Sequence, residues 1–326
     1  CMMANVAVFW RAAPWTLGRV GTEIVRHPDP AAQSRRERRD RGLLAVGLGS
    51  AAVLAALVWA GVVSPDVQAI GRLATYVLVG AGAVWIMWMY AARRVRVEDW
   101  RRVPVVAFVC ILGALYWSAF ELAPTALNQF AGDFTDHVVG GFQIPVTWFQ
   151  SFNTIAVILL APVFALFWSR LARRGREPSS AAKLPLGFTF SAAGFLLMMF
   201  AADQVVAGRG VFQAPAWWLI ASYTLQSAGE LCLSPVGLSM VSRLAPRGYA
   251  GQSMAIWFLA TAAGSLLAGI LWPAVDPEKL DAMSSLFLDS AGVLALGAVL
   301  SLIPFVLLQR RTSSRGGDSV LHRSAR

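Results

Sequence analysis

The sequence predicts an all-α polytopic membrane protein, and three observations carry that reading. Of 326 residues, 57% are hydrophobic and 14% charged. Apolar runs recur near the roughly 20 residues that cross a hydrocarbon core of about 30 Å. Lys and Arg gather in short tracts between those runs. Segments apolar on every face cannot surround one water-soluble core, and the 13 Trp suit the two interfacial belts of a bilayer. The net charge of +10 does not point to nucleic acid, because the basic tracts lack interleaved aromatics or a recognition helix. Cys1, Cys110 and Cys232 lie in apolar surroundings without metal or disulfide spacing and read as small buried hydrophobes. His27, His137 and His322 are scattered. No phosphate loop or nucleophile elbow supports an enzyme or a bound cofactor.

Residues 1–10 are apolar and begin abruptly, without the charged start and small-residue cleavage site of a secretory signal. They read as the end of a preceding span. Residues 11–42 are basic and Pro-containing, with the tract RRERRDR from Arg35 to Arg41, and form a linker. Two spans follow within residues 43–92, about Leu43 to Val63 and Val67 to Ala92, turning at Ser64-Pro65-Asp66 to make a membrane hairpin. The connector of residues 93–103 is basic again. Residues 104–308 hold six spans, near Pro104–Pro124, Pro145–Trp168, Leu184–Ala202, Ala216–Leu244, Ala250–Trp272 and Ser285–Leu308. The tail of residues 309–326 is polar, and its composition predicts disorder.

Assigning the connectors alternately to two sides puts 25 of the 28 Lys and Arg on one side, leaving Arg72, Arg209 and Lys279 on the other. That bias predicts a cytoplasmic linker and tail with eight complete spans between them.

Inside these spans few residues can carry chemistry. Glu121, Asn153 and Glu230 interrupt helices that otherwise need no polar side chain. A charge at bilayer depth costs at least ~2.5–3.5 kcal/mol on insertion scales, so a retained acid calls for a partner, a watery cavity or a proton. Gln226, Glu230 and Ser234 recur at i, i+4 and i+8, close to one helix face, where they can line a cavity together. Gly229 and Gly237 allow close packing beside the acid, and Pro235 frees a backbone carbonyl. Pro124, three residues after Glu121, loosens the helix near that acid. Two readings stay open at this point. Glu230 is either a binding acid or a structural carboxylate bonded to another helix, and Asn153 is either a ligand group or polar glue. Trp257 reads first as core or interface filling. A carboxylate moved toward low dielectric resists ionisation while a nearby cation restores it, so a site that exchanges a proton for a cationic group can couple two movements.

The stretches GELCLSPVGLSMVSRLAP (Gly229 to Pro246) and GQSMAIWFLATAAGSLLAG (Gly251 to Gly269) resemble the C-terminal half of the proton-dependent oligopeptide transporter family, within the major facilitator superfamily. YWSAFE, Tyr116 to Glu121, and FQSFNTIAVILLAPVFALFW, Phe149 to Trp168, match in the same order. The resemblance covers roughly Pro104 to Leu308, and the preceding hairpin is similar to the helix pair that bacterial members insert between their two six-helix halves. It implies a six-helix C-terminal half-bundle plus that hairpin, in a bacterial inner membrane.

The resemblance further implies that Glu230 receives the amino terminus of a di- or tripeptide, that Asn153 assists, that Glu121 serves proton coupling and that Trp257 is a cavity aromatic. The energy source is then the proton gradient. Leu122 stands where the family commonly has Gln, and Thr154 where it commonly has Pro, which bears on substrate preference. The family's first half normally supplies an ExxER motif and basic residues for the peptide carboxylate, and no such stretch precedes the linker. The expectation is therefore a C-terminal portion that needs an N-terminal six-helix half as its partner. The alternatives are a non-transporting membrane fragment and a same-fold carrier of non-peptide solutes.

Overall fold

The structure is a computed structural model that describes residues 66–91, 102–139, 141–208, 212–246, 249–271 and 280–321, with scattered positions between 34 and 60. The chain divides into two compact units, Cys1–Asp66 and Val67–Arg326. In the first, the described positions from 34 to 57 are helical, and Val46 and Val53 are exposed. The span end expected over residues 1–10, much of the linker, and most of the 93–103 connector lie outside the described residues.

The second unit is a helical bundle. Helix α1 spans Val67–Ala91, α2 Val103–Phe120, α3 Asn128–Asp133, α4 Val146–Arg173, α5 Ser180–Ala207, α6 Trp217–Leu244, α7 Ala250–Leu271 and α8 Leu280–Leu321. Six described segments are long and apolar enough to cross a membrane: Ala69–Met87, Val103–Asp133, Val146–Arg173, Ser180–Ala207, Ala250–Leu271 and Ala282–Ile303. Helix α6 has the same 28-residue length as α4 and α5. Its Ser, Gln and Glu residues make it more polar, and burial inside the bundle accommodates them.

Local chemistry sets the helix ends. Ser179 caps α5 by accepting from the Ala182 N–H at 3.3 Å, filling one of the donors a helix start leaves unpaired. Helix α4 ends in a Schellman turn: Gly175 takes φ +65°, its N–H reaches the Ala172 carbonyl at 3.0 Å, and Arg176 N–H reaches Leu171 O at 3.0 Å. Pro162 lies inside α4 and Pro235 inside α6, and both helices continue through them.

The span expected to end near Pro124 instead continues to Asp133. After Phe120 the helix opens into one π-helical turn, Ala123–Leu127, and resumes as α3. Pro124 has no N–H to donate and its ring crowds the preceding turn. The ladder compensates by reaching one residue further, Leu127 N–H bonding Leu122 O at 3.0 Å, while Thr125 Oγ1 donates to Glu121 O at 2.9 Å. A second difference concerns the tail: α8 continues to Leu321 where composition alone predicts disorder.

In the bundle α5 packs between α6 and α8, α2 against α7, α4 along α6, and α1 on α7. Buried aromatics fill the interior: Phe287 lies 6.1 Å from Phe130 and 6.4 Å from Phe195, ring centre to ring centre, and Phe188 lies edge-on to Tyr116 at 5.6 Å. At one end Thr135–Asp136 (β1) pairs in parallel with Ala214–Pro215 (β4), and Val138–Val139 (β2) pairs with Phe142–Gln143 (β3). Helix α4 is the least buried of the long helices, with Phe149 alone fully covered. Its first turns are held to α6, and near its other end Lys183 of α5 stands 4.6 Å over the Trp168 ring while ion-pairing with Glu177 at 2.7 Å.

Candidate functional site

Glu121 follows the last residue of α2, at the point where Pro124 forces the π turn. Its carboxylate is half-buried and accepts a hydrogen bond from Ser265 Oγ of α7 at 2.8 Å. The acid thus bridges α2 and α7 at the loosest point of the α2 backbone. Ser265 carries no sequence signal, because a partner 144 residues away on an apolar helix leaves no local pattern.

Glu230 sits midway along α6 and is half-buried. Among the described residues no hydrogen-bond or ion-pair partner falls on its carboxylate. A fully buried pair of hydroxyls, Tyr116 Oη and Ser191 Oγ at 2.9 Å, lies against the neighbouring Gly229. Gly229 explains how α5 approaches this point. A Cβ there would run into Ser191 Oγ and would stand 2.7 Å from the Gly187 carbonyl, so only the missing side chain lets the two helices meet.

Asn153 of α4 is half-buried and joined to α6 by two contacts: its Nδ2 donates to Ser227 Oγ at 3.1 Å, and Ser227 Oγ stands 3.1 Å from the Asn153 carbonyl. The same hydroxyl reaches the Tyr223 carbonyl at 2.8 Å, and Tyr223 Oη donates to Ala123 O at 3.1 Å, at the start of the π turn. Tyr223, Ser227, Glu230 and Ser234 stand at i, i+4, i+7 and i+11, the repeat of one helical stripe. Ser234 is half-buried like Glu230.

Gln226 sits differently from its two expected companions. It is fully buried on the α5 side, where a Cβ at Gly194 would come within 3.2 Å of its Cγ; its Nε2 donates to Ser222 Oγ at 3.0 Å and its Oε1 has no partner among the described residues. The small residue at 194 makes the room that draws the amide there. Trp257 is 3% exposed and wedged between α2 and α6, since a Cβ at Gly113 would lie 2.8 Å from its ring and one at Gly237 would overlap it. The structure therefore places Asn153 beside the α6 stripe that carries Glu230 and Ser234; Gln226 is buried toward α5, and Trp257 packs on Gly237, the next position of the Glu230 stripe. The i+4 step from Gln226 hid the Tyr223–Ser227 stripe, which was available at i+7 from Tyr223 to Glu230.

Comparison with known proteins agrees with this architecture. The family model described as PTR2, POT family, matches residues 51–285. The chain is 37% identical over 266 residues to the peptide transporter YePEPT of Yersinia enterocolitica subsp. palearctica, covering 82% of this chain and 52% of that protein. It is 33% identical over 211 residues to dipeptide and tripeptide permease A of Proteus mirabilis, covering 64% of this chain and 42% of that one. Among solved structures, the peptide transporter POT in complex with sulfate superposes with a TM-score of 0.74 at 29% identity, over 95% of this chain and 59% of that chain. A POT family transporter in complex with 5-aminolevulinic acid gives 0.69 at 25% identity, over 94% of this chain and 60% of that one. The chain spans about half the length of the curated relatives it matches. With a bundle of the same fold and a family match over most of its length, this multi-pass membrane chain belongs to the POT family.

Proposed function

We propose that the chain is the C-terminal portion of a proton-coupled di-/tripeptide symporter in a bacterial inner membrane, working with a six-helix N-terminal half. The observation that carries this reading is the state of Glu230. A half-buried carboxylate without a partner among the described residues is costly to keep, and a peptide ammonium supplies the missing cation. In this proposal Glu230 binds the peptide amine, Asn153 and Ser234 contribute polar contacts beside it, and Gln226 and Trp257 pack the neighbouring wall. Glu121 carries the coupling proton. Its bond to Ser265 gives the carboxyl a fixed seat, and the loosened turn beside it provides a place where the helix changes shape. The proton gradient is the energy source, with no further cofactor. The 5-aminolevulinic acid complex of a relative supports recognition of an amine-bearing ligand. It also keeps a same-fold carrier of non-peptide amines as the second reading.

The test is uptake of labelled dipeptide into proteoliposomes that hold this chain together with the N-terminal half. Glu230→Gln is expected to weaken binding of dipeptides with a free amine by about 2 kcal/mol, roughly thirtyfold, while N-acetylated dipeptides change little. Equal binding of free-amine peptides by both proteins would remove Glu230 from the site. Preference for amino acids over dipeptides in competition would favour the second reading, and robust uptake by this chain alone would remove the need for a partner half.

A further inference from the structure

Hydrogen bonds from one stripe of α6 connect the elements that bear Asn153, Glu230 and Glu121, made by Tyr223 on one side and by Ser227, one turn on, on the other. Tyr223 is fully buried. Through its hydroxyl it holds Ala123 O, two residues from Glu121 and inside the turn that Pro124 loosens. Its backbone carbonyl faces Ser227 Oγ, whose one proton is shared between this carbonyl and that of Asn153 and whose oxygen accepts from the Asn153 amide. One helical stripe of α6 thus reaches the α2 break at Tyr223, the α4 amide at Ser227 and the proposed amine site at Glu230.

The π turn makes this contact more than packing. Its backbone is bonded one residue out of the regular ladder, so its carbonyls have more than one arrangement within reach. Breaking a buried hydrogen bond is costly, so a change of geometry after Glu121 must carry the Tyr223 ring with it or give up the bond to Ala123 O. Tyr223 in turn is fixed to the α6 segment that ends, two turns on, at Glu230. Energetic coupling of two sites needs such an element, one whose arrangement both sites bias.

We propose that Tyr223 is a positioning residue that transmits the state of Glu121 to the Glu230 face of α6, so that it sets proton coupling rather than peptide affinity. This rests on the transporter reading above. Peptide exchange without net proton movement then needs Tyr223 little, and proton-driven accumulation needs it much.

The experiment uses the transporter reconstituted with both halves and compares counterflow exchange with proton-driven uptake of one labelled dipeptide. Tyr223→Phe, which removes one oxygen, is expected to leave exchange within about twofold and to lower proton-driven uptake about tenfold, a size typical of coupling between sites. In a Glu121→Gln background, Tyr223→Phe should add nothing further. Loss of both activities in equal measure, or of neither, in Tyr223→Phe overturns the assignment. Absence of dipeptide exchange in the unmodified transporter would instead sink the transporter reading itself.

Discussion

Gly229 stands one residue before the carboxylate on which the proposed site depends, and its contribution is an absence of atoms. A methyl group there meets the Ser191 hydroxyl and the Gly187 carbonyl, both belonging to α5. Neither can retreat cheaply, because Ser191 is tied to buried Tyr116 and the carbonyl is backbone. Gly229→Ala is expected to destabilise the protein by about 1–3 kcal/mol, the cost of overpacking a closed interface, read as earlier unfolding in denaturant titrations of the protein in mixed micelles. Gly292→Ala makes the control, since nothing lies within 4 Å of a Cβ at that position of α8. There the change should be neutral, or stabilise by up to about 1 kcal/mol through helix propensity. The two residues look alike in an apolar helical sequence, and only the neighbouring helix separates them.

At the scale of single elements, the π turn after Glu121 is the departure from regular helix that matters most. Pro124→Ala restores the missing N–H, and the segment from Val103 to Asp133 is expected to become a regular helix. Resistance to unfolding should then rise by up to about 3 kcal/mol while proton-driven uptake falls, because the Glu121–Ser265 seat is no longer next to a deformable turn. Denaturation curves and uptake rates on the same preparation check both halves of that expectation. The proline and the acid were evident in the sequence together, three residues apart, because proline acts through local covalent geometry. Ser265 and the Tyr223–Ala123 bond were not, since they depend on how α7 and α6 lie against α2, and an apolar lipid-facing helix and an apolar buried one share a composition. For the same reason Gln226 read as a companion of Glu230, although the gap at Gly194 draws it toward α5.

For the whole molecule, hydropathy and charge were enough to announce a polytopic helical bundle, because a bilayer restricts spanning chains to closed hydrogen-bonded forms. The same arithmetic supports our proposed orientation. Single Cys residues introduced at Arg174 and near Arg247 should react with impermeant reagent only from the cytoplasmic side, and one at Asp136 only from the outside. Labelling of all three from one side would overturn the assignment. What composition could not reveal is how unevenly the helices are held. Helix α4 is tied to α6 at Asn153 and to α5 at Trp168, with no residue between those points fully buried and with Pro162 among them. In engineering terms it is a strut pinned near both ends with a flexure point between them. Proline has already removed one hydrogen bond there, so bending at that point costs less than pulling either pin. A change in the distance between α6 and the Ser180 end of α5 is therefore taken up within α4, and the Asn153 contact beside the proposed amine site stays closed while the strut bows.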